Sequence, residues 1–241
     1  MRQDGRLANG MRKVSIIPDY MEYAEGSCLI KAGNTRVICT ASVEDGVPPF
    51  LRGQGTGWIT AEYGMLPRCC QKRVSRESTK GKKAGRTHEI QRLVGRSMRC
   101  ACNMNVLGER TIWLDCDVIQ ADGGTRCASI TGSFVALCLA LGGLKKRGVI
   151  DRIPVHCFIA AVSVGIVKGD IYLDLTYEED SRAGVDLNVI MTDSGKYVEV
   201  QGTAEGEPFD RGQMDEMLGL AQNGVDRLIT AQKDILKGVI S

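Results

Sequence analysis

The stretch that most limits the possible folds runs from Thr125 to Leu144, because around Phe134 to Leu141 it is apolar on almost every side. A helix with no polar face has to be covered all round, so it belongs between layers of a multilayer domain. At 241 residues the chain is long enough to provide those layers, since a chain of this size buries about 70 to 75% of its unfolded surface. Short runs rich in Val, Ile, Leu and Thr read as strands at residues 26–31, 35–43, 57–60, 111–119, 156–167, 170–177, 185–192 and 197–201. Apolar periodicity predicts helices over about 86–104, 125–144 and 210–237. The order is strands, helix, strand, helix, strand meander and final helix. It predicts an α+β fold of two βαβα-like halves, about 10–145 and 155–237, within one domain spanning 1–241. The basic, glycine-containing segment 70–85 has no clear period and reads as a mobile loop.

The buried helix is entered through Gln120-Ala121-Asp122-Gly123-Gly124-Thr125-Arg126. Two glycines allow a sharp turn and close approach of a ligand, and the first N–H groups of the helix attract an anion. Thr125 adds a hydroxyl, and Arg126 adds a planar fork of donors that matches phosphate oxygens. The same residues also suit a plain strand-to-helix connection. A second helix start at Gly85-Arg86-Thr87 places Arg86 at another positive end, so Arg86 and Arg126 could clamp one phosphate. Arg92, Arg96 and Arg99 are expected opposite the apolar stripe of that helix. No Gly-x-x-x-x-Gly-Lys-Ser/Thr loop occurs.

Charge is very unevenly distributed. From Pro67 to Arg99 eleven Lys or Arg face only Glu77 and Glu89, a net +9 in a chain whose total is +2. Such a window suits contact with a polyanion, or else a solvated helix face followed by a basic loop. Aromatic residues are few, so contact with a nucleic-acid backbone outweighs base stacking.

The ten cysteines contain no Cys-x-x-Cys pair, and several replace small apolar residues within predicted elements, which suits reduced thiols in a core. His88 and His156 are the only histidines, and neither has ligand spacing to a cysteine pair. No Ser-His-Asp layout is visible. No apolar run near the 18 residues of a membrane span and no signal peptide are read from the sequence, which points to a cytoplasmic address.

Carboxylates supply the other half of the chemistry. Asp180 is expected to close one strand and Asp186 to open the next, so that a turn through Ser181 to Gly184 brings them together. A close carboxylate pair can hold a divalent cation, and one member can carry a proton. Turn-capping aspartates are the structural alternative. Asp115 and Asp117, two apart on a strand, form a rival pair, whereas Asp122 reads as a turn residue.

Beyond this chemistry, long ordered motifs carry a likeness: Gly53-Gln54-Gly55, the run from Trp58 to Arg68, Gly85-Arg86-Thr87-x-Glu89-Ile90-Gln91-Arg92-Leu93, Leu114-Asp115-Cys116-Asp117-Val118, Gln120 to Arg126, Ala161 to Gly165 and Glu199 to Gly206. From about Arg2 to Lys233 the chain resembles the bacterial ribonuclease PH family. The resemblance implies the ribosomal protein S5 domain 2-like fold and a phosphorolytic 3′ to 5′ exoribonuclease that trims tRNA precursors and other structured RNA with 3′ tails. It implies inorganic phosphate as co-substrate, held by Arg86, Gly124, Thr125 and Arg126. It further implies Mg²⁺ bound by Asp180 and Asp186, with Asp186 the proton donor. RNA contacts would come from Arg68, Arg73, Arg76 and, in the same motif as Arg86, Arg92. The assembly would be a homohexamer, a trimer of dimers. A noncatalytic RNA-binding ring subunit of the same fold is the alternative, and a hydrolase using water is a second one that would leave Arg86 and Arg126 without a purpose.

Overall fold

A computed structural model describes residues 2–240; Met1 and Ser241, the ends of the domain read from the sequence, and the side chain of Lys80 lie outside the described residues. Five strands form the first sheet. β1 (Val14–Pro18), β2 (Gly26–Ala32) and β3 (Thr35–Asp45) run antiparallel, with Gly33 at φ 57° in the turn between β2 and β3. β4 (Trp58–Met65) and β5 (Arg110–Gln120) pair in parallel, which requires a crossover. The helices α1 (Gly85–Ala101) and α2 (Met104–Leu107) supply it. The sheet order is β1-β2-β3-β5-β4, and α3 (Thr125–Lys146) leaves from β5.

The second sheet has the order β7-β6-β8-β9 and is antiparallel throughout. It is built from β6 (Ile159–Val167), β7 (Asp170–Leu173), β8 (Val185–Thr192) and β9 (Tyr197–Ala204). A single helical turn, α4 (Tyr177–Asp180), links β7 to β8, and α5 (Arg211–Ile235) closes the chain.

These elements stack as sheet, helices, sheet, helix. α3 packs on β2 and β3 on one side and on β6 on the other, α1 packs on β4, and α5 covers β6 and β7. Strand patterning follows from this. β3 buries Val37, Cys39 and Ala41 toward the helices and turns Ile38 and Thr40 outward, whereas β6, covered on both faces, is buried at every position. Ile130, Phe134, Leu137 and Leu141 of α3 are fully buried, each stabilising by about 1.5 to 3 kcal/mol. α3 is also the one helix among the described residues long and apolar enough to cross a membrane, with 22 residues and mean hydropathy 1.9. That corrects the sequence reading that no such run exists. Its most apolar window is 89% buried, because two sheets cover it.

Other boundaries move for local reasons. β1 was not expected; it is short and ends in Pro18. The strand expected over 170–177 stops at Leu173, because Asp174 takes φ 55°, a left-handed conformation that cannot continue a ladder. The strand expected from 156 begins at Ile159, and the first predicted helix ends at Ala101, where Cys102 turns extended and bridges Val155. The segment read as a mobile loop contains a 3-10 turn at Glu77–Lys80 and a hydrogen bond from Val74 N to Pro67 O of 2.8 Å.

Candidate active site

The N-terminus of α3 meets α4 through glycine. Gly123 and Gly124 take φ 77° and 67°, and Gly124 is the N-cap of α3. A Cβ on Gly123 would stand 2.5 Å from the carbonyl oxygen of Leu175 and 2.7 Å from Tyr177 N, so the turn touches the chain leading into α4. Asp122 is the turn residue the sequence suggests: its carboxylate accepts from Tyr177 N at 3.4 Å and from the Asn34 side chain at 3.2 Å. Thr35 Oγ1 donates to Gly123 O at 2.7 Å and accepts from Asp122 N at 2.9 Å.

The buried hydroxyl of Thr125 lies 2.9 Å from the hydroxyl of Tyr63. Its place in the interior leaves the unpaired N–H groups of the first turn of α3 as the outward feature of this helix start. Arg126 is oriented: Nη1 donates to Glu89 Oε1 and to Gln201 Oε1, each at 3.0 Å. Both bonds use one nitrogen, so the other edge of the guanidinium remains for a ligand. Gln201 is held in turn by Glu199, which also pairs with Arg96 at 3.3 Å.

Asp180 closes α4 rather than a strand, which corrects the sequence reading. The helix is capped by Thr176, whose hydroxyl accepts from Glu179 N, while Glu179 accepts from Thr176 N at 2.9 Å. Asp186 lies on β8, opposite Gly165 of β6 and Thr203 of β9. Gly165 has to be glycine, because a Cβ there would meet Val185 O at 2.6 Å and a Leu175 methyl at 2.7 Å. Asp180 lies at the surface, yet partial desolvation, and then the neighbouring Asp186 carboxylate, push its carboxyl above its usual range, while Arg86 and Arg126 pull it down. Two carboxylates and two arginines from four separate elements therefore share one field. Arg86, at the start of α1, is exposed.

The rival pair is not part of this site. Asp115 and Asp117 project from the outer face of the first sheet, and the charges that act on Asp115 are Asp117, Glu62 and Lys83. Arg68, Arg73, Arg76 and Arg92 are exposed, on the β4–α1 segment and on α1. Arg99 departs from the expected open face: it stacks 4.3 Å over the Trp58 ring and donates to Ile59 O at 2.7 Å. Seven of the ten free cysteines are buried, and burial pushes the Cys102 and Cys127 thiols up to about 12, which suits core residues and not nucleophiles.

Several residues of the site had no signal in the sequence. Tyr63, Glu89 and Gln201 support Thr125 and Arg126 from distant segments, and Arg2, Arg12, Asp174 and Glu179 form a buried ionic cluster beneath the turn and α4. Glu89 stands within the motif that opens at Gly85-Arg86-Thr87, but nothing local points it at Arg126; the others pair across separations that no periodicity reveals.

A helix start with free N–H groups beside two carboxyl groups at the end of a layered α+β fold is an arrangement that suits phosphoryl transfer. Family models described as the 3′ exoribonuclease family match residues 10–141 (domain 1) and 157–224 (domain 2). The chain belongs to the 3′ exoribonuclease family. It is 58% identical over 241 residues to Ribonuclease PH of Moorella thermoacetica, covering 100% of this chain and 96% of that one. It is 56% identical over 235 residues to Ribonuclease PH of Syntrophomonas wolfei, covering 98% of each. Among solved structures, rice Rrp46 shares the fold at TM-score 0.78 and 17% identity, covering 98% of this chain and 100% of that one. The Archaeoglobus fulgidus exosome with RNA bound to the active site matches at TM-score 0.78 and 25% identity, covering 94% of this chain and 91% of that one.

Proposed function

We propose that this protein shortens RNA from its 3′ end by phosphorolysis. The observation that carries the reading is the convergence of the α3 N-terminus, Arg126 and Arg86 on the carboxyl groups of Asp180 and Asp186. Inorganic phosphate sits against the first turn of α3, with Gly124 and the N–H of Thr125 beside it, and Arg86 and Arg126 neutralise its charge. One of its oxygens attacks the terminal phosphodiester in line. The bond from phosphorus to the 3′ oxygen of the preceding nucleotide breaks, a nucleoside diphosphate leaves, and the 3′ oxygen takes a proton from the Asp180/Asp186 pair, with Asp186 the donor. Desolvation and the neighbouring Asp186 charge raise the Asp180 carboxyl, a direction that suits a pair handling a proton. The reverse reaction adds nucleotides.

Among the described residues no group of three or more His, Cys, Asp and Glu is placed to hold a metal ion. A pair of carboxylates suits Mg²⁺, which keeps several waters and completes its shell with substrate phosphate oxygens. Asp180 and Asp186 would hold it, and when bound it supplies charge neutralisation at the reacting phosphates. The exposed Arg68, Arg73, Arg76 and Arg92 form the path for the RNA backbone. We further propose tRNA precursors as substrates, a homohexamer built as a trimer of dimers, a cytoplasmic address, and residues 1–241 acting as one domain.

The test is incubation of the protein with a labelled RNA bearing a 3′ single-stranded tail and Mg²⁺, with and without inorganic phosphate. Nucleoside diphosphates appearing only with phosphate are expected. Monophosphates without phosphate would mean hydrolysis, and binding without release would make the chain a noncatalytic RNA-binding subunit.

A further inference from the structure

We infer that the N-terminal segment, residues 2–12, is the positioning element of the active site, clamping α4 and the Gly123-Gly124 turn together through Glu179 and Asp174. The inference rests on the phosphorolytic reading above. Arg2 is buried, and its fork meets Glu179 edge on, Nε to Oε1 and Nη2 to Oε2, both at 2.7 Å. The same guanidinium donates to Leu173 O at 2.8 Å and to Asp174 O at 2.9 Å, so it grips the chain on both sides of the break between β7 and α4. Arg12 grips the other side: Nε and Nη2 reach the two oxygens of the Asp174 carboxylate at 3.0 and 2.6 Å, and the Arg12 N–H adds a bond of 2.8 Å. Its remaining nitrogen, Nη1, donates to the carbonyl of Asp122, and Gly123 O lies 3.5 Å away. Arg6 sits between them, with Asp174 Oδ2 at 3.3 Å and Glu179 Oε2 at 3.5 Å.

The result is a continuous ionic path from α4, which carries Asp180, to the turn that starts α3. Three physical points give it a positioning role. A helix of four residues cannot hold its own orientation, because nucleation costs more than its few hydrogen bonds return. Asp174 is a buried, non-glycine residue held in left-handed backbone at φ 55°, a conformation that persists only where the surroundings over-determine it. Buried ion pairs add little net stability over apolar packing, so a cluster of five buried or half-buried charges is better explained by the geometry it imposes.

The experiment compares the full-length wild type with Arg2→Lys and Arg12→Lys, which keep the buried charge but lose the two-pronged geometry. Two readouts are taken: hydrogen exchange of peptides over 174–183 and 121–127, and the phosphate and Mg²⁺ dependence of diphosphate release. Arg2→Lys should speed exchange in 174–183 and raise half-saturating Mg²⁺ about tenfold, with the KM for phosphate within about twofold of wild type. Arg12→Lys should speed exchange in 121–127 and raise the KM for phosphate about tenfold. A lower melting temperature with both constants and both exchange patterns at wild-type values would overturn the inference and leave only a structural role. Arg2→Lys decides alone if the Arg12 variant does not fold. A wild type that releases no diphosphates would sink the phosphorolytic reading, while the exchange data still report on the clamp.

Discussion

Arg126 is held in place by the protein, as the proposed phosphate site requires. Its Nη1 is held by Glu89 from α1 and Gln201 from β9, while the chain position places the guanidinium at the positive end of α3. At 16% side-chain exposure it is screened from bulk water, which strengthens an ionic bond to phosphate. A hydrogen bond to a charged group contributes about 1.5 to 3 kcal/mol, so Arg126→Ala should raise the KM for phosphate roughly ten- to a hundredfold. The KM for RNA should stay near wild type; initial rates over a phosphate series at fixed RNA check this, and an unchanged phosphate KM would remove Arg126 from the site. Arg126 itself was legible in the Gly-Gly-Thr-Arg turn. Its supports were not, since they lie 37 and 75 residues away. The role of Thr125 was legible only in part, because nothing in the sequence announces that Tyr63 meets its hydroxyl in the interior.

At the level of elements, the site depends on how closely two short connections approach. The turn before α3 and the chain before α4 touch at Gly123, where a methyl group would run into backbone on the other side. Left-handed backbone costs a residue with a Cβ about 1 to 2 kcal/mol before any clash. Gly123→Ala should therefore destabilise by about 2 kcal/mol or more, lower the melting temperature by about 4 to 8 °C, and depress turnover by moving α4. Thermal melts alongside the phosphorolysis assay check both effects; a melt unchanged from wild type would mean the two connections sit further apart in solution. Periodicity found the long elements well, because α1, α3, α5 and the central strands each cover several periods. It missed α4, since four residues carry no periodic signal and the left-handed residue at the break, Asp174, is bonded to Arg12, which is distant in sequence.

In the whole molecule the charge asymmetry gains a location. The +9 window includes the β4–α1 segment, and Ala121 N bonds to Cys69 O at 2.8 Å, tying that segment to the phosphate turn. Exposed Arg68, Arg73 and Arg76 thus lie along a chain that leads to the site. Replacing all three by Ala should weaken RNA binding and flatten its salt dependence by about 0.7 for each phosphate of a single strand that is no longer neutralised. Binding titrations across a salt series with a structured, 3′-tailed RNA check it. An unaltered slope would place the RNA elsewhere.

By itself the sequence made the layered α+β fold legible, because strand-like runs flank a helix apolar on every side and give it layers to lie between, and it pointed to a turn suited to phosphate, because its glycines, threonine and arginine are contiguous. It also led to the expectation that Asp180 and Asp186 are neighbours, from a turn through Ser181 to Gly184. What only the tertiary structure decided is which groups meet across long separations. It excluded Asp115 and Asp117 by putting them on the outer face of the first sheet, and it packed Arg99 against Trp58. It also brought Arg2 to Glu179, 177 residues away. The physical reason is that local patterns report which face of an element seeks burial, whereas the partner of a buried charge is fixed by where the packed layers bring the chain ends.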